Sequence, residues 1–223
     1  MIEKPVDEIL DRLEARSPQR ASPGSAIGLE PSWRRDPFTM LIATVLSQRT
    51  RDECTWIASE KLFSEYGTPR ALMNAPEESI TAAIGAVNFH KGKARAIKEI
   101  ARIIHEEHHD AVPSDIEGLM ALPMVGRKTA NCVLAYAFEK DAICVDTHVH
   151  RISNRIGLVR SAGPDGTEEQ LKVVVPRPRW RSVNELMVRF GQEICTPLRP
   201  KHDLCPIQEF CDTFLQESGR TGR

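Results

Sequence analysis

An all-helical fold is predicted by three features of the sequence. Apolar residues recur at three- and four-residue spacing along most of the 223-residue chain, two segments are apolar on nearly every face, and strand-like alternation is almost absent. Val6, Ile9, Leu10 and Leu13 make one stripe and predict an amphipathic first helix. A stretch rich in Ser, Pro and Gly, from about Ser17 to Pro37, predicts a loop. Residues 38–47 (FTMLIATVLS) are apolar nearly all round and predict a buried helix. Further helices are predicted near residues 51–66, 68–74, 77–83, 91–109 and 114–121, the last opened by a Ser114/Glu117 capping box. Residues 129–138 (TANCVLAYAF) form the second apolar helix, and a helix over 146–156 follows with Asp146 at its N-cap. Only Ala142 to Val145 carries a strand signal, and it is short.

Composition narrows the classes. Hydrophobic residues at 41% and charged residues at 27% describe an ordinary globular protein. No apolar run reaches the ~18–20 residues of a membrane span. The opening MIEKPVDEILDRLEARS is acidic and amphipathic, unlike a signal peptide, so a cytoplasmic protein without a membrane partner is expected. The net charge of −1 excludes a uniformly basic nucleic-acid binder but not a local basic patch. Two such patches exist: THVHRISNRIGLVR over 147–160, which has no acid, and RPRWR over 177–181. Of six cysteines, Cys54, Cys132 and Cys144 lie in apolar helical contexts and read as small buried residues, whereas Cys195, Cys205 and Cys211 cluster near the C-terminus. In a cytosolic chain that clustering points to metal ligation before disulfides.

The chemistry concentrates in two helix starts. In LMALPMVGRKTA (119–130), Leu122-Pro123 closes one helix, Val125-Gly126 turns, and Arg127-Lys128-Thr129 opens the next. Backbone N–H groups at such a helix start favour a phosphate, which would position DNA without reading its sequence. Eighteen residues further stands Asp146, in ICVDTHVHRISNR. An amine at the positive end of a helix is helped toward its neutral form, which can attack a sugar carbon and give a Schiff base. A carboxylate can take the amine's proton or stabilise positive charge on the sugar.

Taken together, LPMVGRKTAN, VDTHVHRISNRIGLV and the Cys-rich tail resemble the endonuclease III branch of the helix–hairpin–helix DNA glycosylases, from about Asp36 to Cys211. LSQRTRDE (46–53) and VNELMVRFGQEIC (183–195) are similar to archaeal members in particular. The resemblance implies a bifunctional base-excision enzyme. It would remove oxidised pyrimidines and cut the strand by β-elimination, with Lys128 as nucleophile and Asp146 as catalytic carboxylate. It also implies two helical domains with an active-site cleft between them: 34–141 with the hairpin, and 1–33 joined to 142–223 with the cluster loop. The partner would be double-stranded DNA bearing a damaged base or abasic site, the enzyme a nucleoid-associated monomer. Gln48 and Arg49 fall in the loop that fills the space left by a flipped base, and Phe89 at the second wedge. Val125, Gly126, Arg127 and Thr129 of the hairpin, with His148 and Arg151 of the basic stretch, complete the candidate DNA contacts, and Arg155 joins them as a phosphate contact.

The sequence departs from the family pattern in three places. Met124 stands where the hairpin usually has Gly, which would cost about 1 kcal/mol or more if the turn needs positive φ. Arg49 stands where many relatives have Gln. The family's four cysteines hold a four-iron four-sulfur cluster, and here the same gaps of six, two and five residues read Cys195, His202, Cys205, Cys211. Imidazole ligates iron in Rieske centres and also completes Cys₃His zinc sites, so cluster and zinc both stay open. Two other functions remain beside the glycosylase/lyase: a mismatch-directed glycosylase and a non-catalytic helix–hairpin–helix DNA-binding module.

Overall fold

The computed structural model describes residues 4–16 and 36–219. Among these the regular elements are all helical, with no strand. Most of the predicted 17–37 loop lies outside the described residues. Contacts gather the chain into two compact units, one holding α1 (Val6–Ala15) and everything from Asp141 on, the other running to Lys140.

In the second of these units, α2 (Pro37–Ser47) is the buried helix the sequence predicts, with eight side chains out of solvent. Asp36 caps it, accepting from Thr39 N at 2.9 Å, and Pro37 occupies the first turn, where a missing N–H is harmless. Packed against it are α3 (Asp52–Tyr66), α6 (His90–Glu106) and α8 (Arg127–Tyr136). The short α4 (Pro69–Asn74) and α5 (Glu77–Ala83) lie against α6. Helix α6 buries Ala94, Ile97, Ile100, Ala101 and Ile104, the regular stripe of an amphipathic helix, together with one charged residue, Lys93. It ends three residues before the expected His109. His109 and Asp110 both take positive φ (52° and 67°), and Asp110 N turns back to Ile104 O at 2.9 Å. The capping box at Ser114 does not form. Asp115 is the N-cap of α7 (Ile116–Met120), taking Gly118 N at 2.8 Å.

The other unit is built around Ile9, Leu10 and Leu13 of α1, Val149, Ile152 and Ile156 of α9 (Thr147–Ile156), and Val183, Met187 and Phe190 of α11 (Trp180–Glu193). Residues 142–145 are buried but not a strand; they run as an irregular connection whose Cys144 carbonyl accepts from Asn184 Nδ2 at 2.9 Å. Three helices have no counterpart among the sequence expectations: α10 (Pro164–Val174), α11 and α12 (Asp212–Glu217). Helix α10 buries only Thr167, Glu168 and Leu171, too few apolar positions to show a period. Cys132 and Cys144 are buried as expected, but Cys54 is half-exposed on α3. None of the described helices is long and apolar enough to cross a membrane.

Candidate active site

The hairpin joins α7 to α8 by a turn in which Val125 N meets Leu122 O at 3.2 Å. Met124 takes the left-handed conformation at φ 59°, so the strain anticipated at this position is present. Gly126 is the N-cap of α8 with φ −90° and ψ 175°, an extended backbone that any residue can adopt. A methyl group added to Gly126 would meet nothing within 4 Å. Its value is therefore not conformational. The bare backbone leaves room in front of a helix start that no side chain caps. Lys128 is the second residue of α8, with an exposed side chain.

Asp146 is the N-cap of α9, and its geometry is asymmetric. One oxygen, Oδ1, accepts from both His148 N and Val149 N at 2.8 Å. Oδ2 takes no part in the cap, so one carboxylate oxygen alone secures the helix.

The remaining hairpin residues divide. Arg127 is half-buried, while Val125 is 5% exposed and Thr129 4% exposed, so neither of these side chains faces a partner. Thr129 Oγ1 instead accepts from Gln48 Nε2 at 3.3 Å, and the same amide donates to Met124 O at 2.9 Å. The Thr129 side chain thus holds Gln48. Arg49 and Phe89 stand out as expected of loop tips: both take positive φ (53° and 58°) and both are exposed.

Two arginines read from sequence as phosphate contacts do another job. Arg151 Nη2 donates to Cys195 O at 2.9 Å and Gly191 O at 3.3 Å, and approaches His148 Nδ1 at 3.2 Å. A Cβ at Gly191 would fall 2.4 Å from His148 Nδ1, so this packing requires glycine. Arg155 donates to Cys195 Sγ at 3.4 Å, Thr196 O at 2.8 Å and Pro197 O at 2.6 Å. Its own carbonyl accepts from Cys211 Sγ at 3.3 Å and Thr213 Oγ1 at 3.1 Å. A basic residue looks the same in sequence whether it serves phosphates or carbonyls, which is why this role was missed.

Arg155, Cys195, His202, Cys205, Cys211 and Phe214 line one cavity. Among the described residues no three His, Cys, Asp or Glu side chains converge tightly enough to hold a single metal ion. Burial pushes the Cys205 thiol up to about 11 and the Cys211 thiol upward too, and neighbouring cysteine charges add to both. Half-buried thiols that oppose each other's ionisation are a donor set a cationic iron centre would satisfy, so the residues fit a multi-iron cluster. The His202 ring stacks on Phe214 at 5.0 Å, and its Nε2 lies 3.6 Å from Glu217 Oε2.

Most of the chain resembles known proteins. Residues 42–177 match the HhH-GPD superfamily of base excision DNA repair proteins, and residues 195–211 match the iron–sulfur binding domain of endonuclease III. Endonuclease III of Thermotoga maritima is 48% identical over 185 residues, spanning 83% of this chain and 86% of that protein. The chain belongs to the endonuclease III family. It is a base-excision DNA glycosylase and AP lyase, and its cofactor is a four-iron four-sulfur cluster, not zinc. The chloroplastic endonuclease III homolog 2 of Arabidopsis thaliana is 37% identical over 231 residues, covering 96% of this chain and 59% of its own length. The structure of a trapped covalent endonuclease III–DNA intermediate superposes with a TM-score of 0.83 at 30% identity, covering 96% of this chain and 97% of that one. A thermostable thymine-DNA glycosylase does so at 0.80 and 25%, covering 95% of each chain.

Proposed function

We propose that this enzyme excises oxidised or ring-damaged pyrimidines from duplex DNA, acting as a monomer at the nucleoid, with Lys128 as nucleophile and Asp146 as its carboxylate partner. The observation that carries the assignment is the division of labour at Asp146, whose Oδ1 accepts both cap bonds while Oδ2 is spared. The Lys128 amine attacks C1′ of the extruded nucleotide, the C1′–base bond breaks, and the base leaves with a proton. Asp146 accepts the proton lost by the amine and offsets the positive charge that develops on the sugar. The C1′–O4′ bond then breaks, the ring oxygen takes up a proton, and the opened sugar is joined to the amine as a protonated Schiff base. Loss of a C2′ proton breaks the C3′–O bond and cuts the strand, after which water releases Lys128. Gly126 admits the DNA phosphate at the start of α8, and Gln48, Arg49 and Phe89 occupy the loops that enter the stack.

Cys195, His202, Cys205 and Cys211 would hold the cluster, and Glu217 Oε2, 3.6 Å from His202 Nε2, would be a nearby carboxylate for the imidazole. When bound, the cluster ties the loop after α11 to the rest of its unit. Pulsed EPR of the reduced holoenzyme tests the fourth ligand. A strongly coupled ¹⁴N that disappears in His202→Cys is expected, and identical spectra from both proteins would remove His202.

The likeness to a thymine-DNA glycosylase favours a second reading, a mismatch-directed enzyme. An oligonucleotide panel decides between them. Strand scission at oxidised pyrimidines, with normal mispaired bases left intact, is expected; the reverse pattern would replace the first reading with the second.

A further inference from the structure

Lys93 is the one charged side chain within the buried face of α6, at 1% exposure. A buried ammonium is costly unless each of its protons is accepted. Here all three are: Nζ donates to Leu46 O at 2.6 Å, Gln48 O at 2.7 Å and Thr50 Oγ1 at 3.0 Å. Two acceptors are carbonyls at the C-terminal end of α2, a helix with no basic residue in its own last turn, so the cation also meets the negative end of a helix dipole.

The lysine sits at the node of a wider network. Thr50 Oγ1 also accepts from Asn88 N at 3.2 Å, Asn88 Nδ2 donates to Arg49 O at 2.6 Å, and Lys93 N donates to Phe89 O at 3.0 Å. Gln48 carries the connection on to Met124 O. Arg49, Phe89 and Met124, the tips of three loops, are all left-handed non-glycine residues. Each such conformation costs free energy and persists only where its surroundings impose it. The imposing group that touches the first loop directly, and the second through Asn88 and its own backbone, is Lys93.

We propose that Lys93 is a positioning residue for base extrusion, its buried ammonium pinning the Gln48–Thr50 turn and the Phe89 turn in the shapes that enter DNA. The proposal rests on the reading that these two loops contact DNA. Burial holds the Lys93 amine down at about 8, within reach of mild alkali. No charge causes that shift. Helix α2 has no charged residue; Arg49, Arg51, Arg70, Glu77, Glu78, His90, Lys91 and Arg95 are the titratable or charged groups on the adjoining loop, α4, α5 and the first turns of α6, and none contributes. Once neutral, the amine has two protons for three acceptors, and the charge that strengthened every tie is gone, so the pin on the loop weakens.

Linkage gives this weakening an unusual signature. A lysine whose pKa is lower folded than unfolded binds fewer protons in the native state between about 8 and its ordinary value. Its contribution to folding stability therefore rises with pH over the window in which its grip on the loops weakens. A lysine that only supported the fold would show the same rise in stability with no slowing of extrusion. The test uses the holoenzyme and a duplex with 2-aminopurine beside the damaged base, followed by stopped-flow fluorescence from pH 7 to 9.5, with denaturant unfolding over the same range. Extrusion is expected to slow by roughly tenfold, the scale of one lost charged hydrogen bond, while the Lys93 contribution to stability grows. That contribution is read as the difference in pH slope between wild type and Lys93→Met. Lys93→Met should be slow and pH-independent on duplex, yet cleave a single-stranded abasic oligonucleotide at the wild-type rate.

Extrusion that is flat in wild type across pH 8 would overturn the proposal, and so would wild-type extrusion by a folded Lys93→Met. If Lys93→Met does not fold, the wild-type pH series decides alone. Arg49→Ala and Phe89→Ala are the independent control. If neither affects extrusion, the loops do not enter DNA and the underlying reading fails, whatever Lys93 does.

Discussion

Helices α8 and α9 both begin with polar residues, yet their starts are solved in opposite ways. At α9 the first N–H groups are satisfied from within, because Asp146 accepts two of them. At α8 the N-cap is Gly126, no side chain closes the end, and the space in front of it is open. A helix start that supplies its own anion has no need of another; one that lacks it is suited to an anion from outside. The difference is what the proposed function builds on, with phosphate docking at α8 and the Asp146 oxygen outside the cap for the sugar.

The largest change expected from breaking this contrast is at Asp146. Asn caps nearly as well as Asp, so Asp146→Asn should unfold at the wild-type denaturant midpoint yet lose roughly 10²–10⁴-fold in single-turnover excision. Asp146→Ala should add about 1 kcal/mol of destabilisation to the same kinetic loss. Near-normal turnover in Asp146→Asn would reduce this residue to a cap.

The arginines sharpen the comparison from the other end of α9. Arg155 binds Cys195 Sγ and two carbonyls of the following segment, so Arg155→Met should lower the iron retained against a chelator. The slope of log affinity against log salt should stay put. Were Arg155 a phosphate contact, that slope would shrink by about 0.9.

At the open helix start, Gly126→Ala should leave stability unchanged or slightly raised, because its backbone suits alanine and the methyl group meets nothing in the chain. DNA affinity should fall severalfold, since the methyl enters the space kept for phosphate. Tight DNA binding by Gly126→Ala would mean that α8 docks no phosphate. The smallest effect is at Met124. Met124→Gly relieves about 1 kcal/mol of left-handed strain, and the greater freedom of glycine in the unfolded chain offsets most of it. A gain of a few tenths of a kcal/mol in unfolding free energy is expected.

Much of this was legible in the sequence, for identifiable reasons. The stripe of α6 announced itself because burial on one face leaves a period, and α2 because burial all round leaves an unbroken apolar run. Met124 stood out because the family hairpin it resembles has Gly there, the residue that takes positive φ without strain. What stayed hidden depends on where long side chains end. Lys93 looks like any surface lysine within HKGKARAIKE, and only the fold shows three acceptors around its amine. Arg151 and Arg155 occupy an acid-free stretch that invites phosphates, but Arg151 Nη2 is bonded to Gly191 O and Cys195 O, and Arg155 to Cys195 Sγ, Thr196 O and Pro197 O. Thr129, in the same motif as Lys128, turns inward because successive helical positions point about 100° apart. Helix α10 escaped notice because its burial is too sparse to mark a face.

The central claim is that the exposed amine in the first turn of α8 is the nucleophile, and borohydride trapping followed by peptide mapping tests it most directly. Wild type should be captured on DNA containing an abasic site, with the adduct on the peptide that holds Lys128. Lys128→Gln should bind the same DNA with little loss and give no adduct. Undiminished trapping by Lys128→Gln, or an adduct mapped to another lysine, would contradict the account.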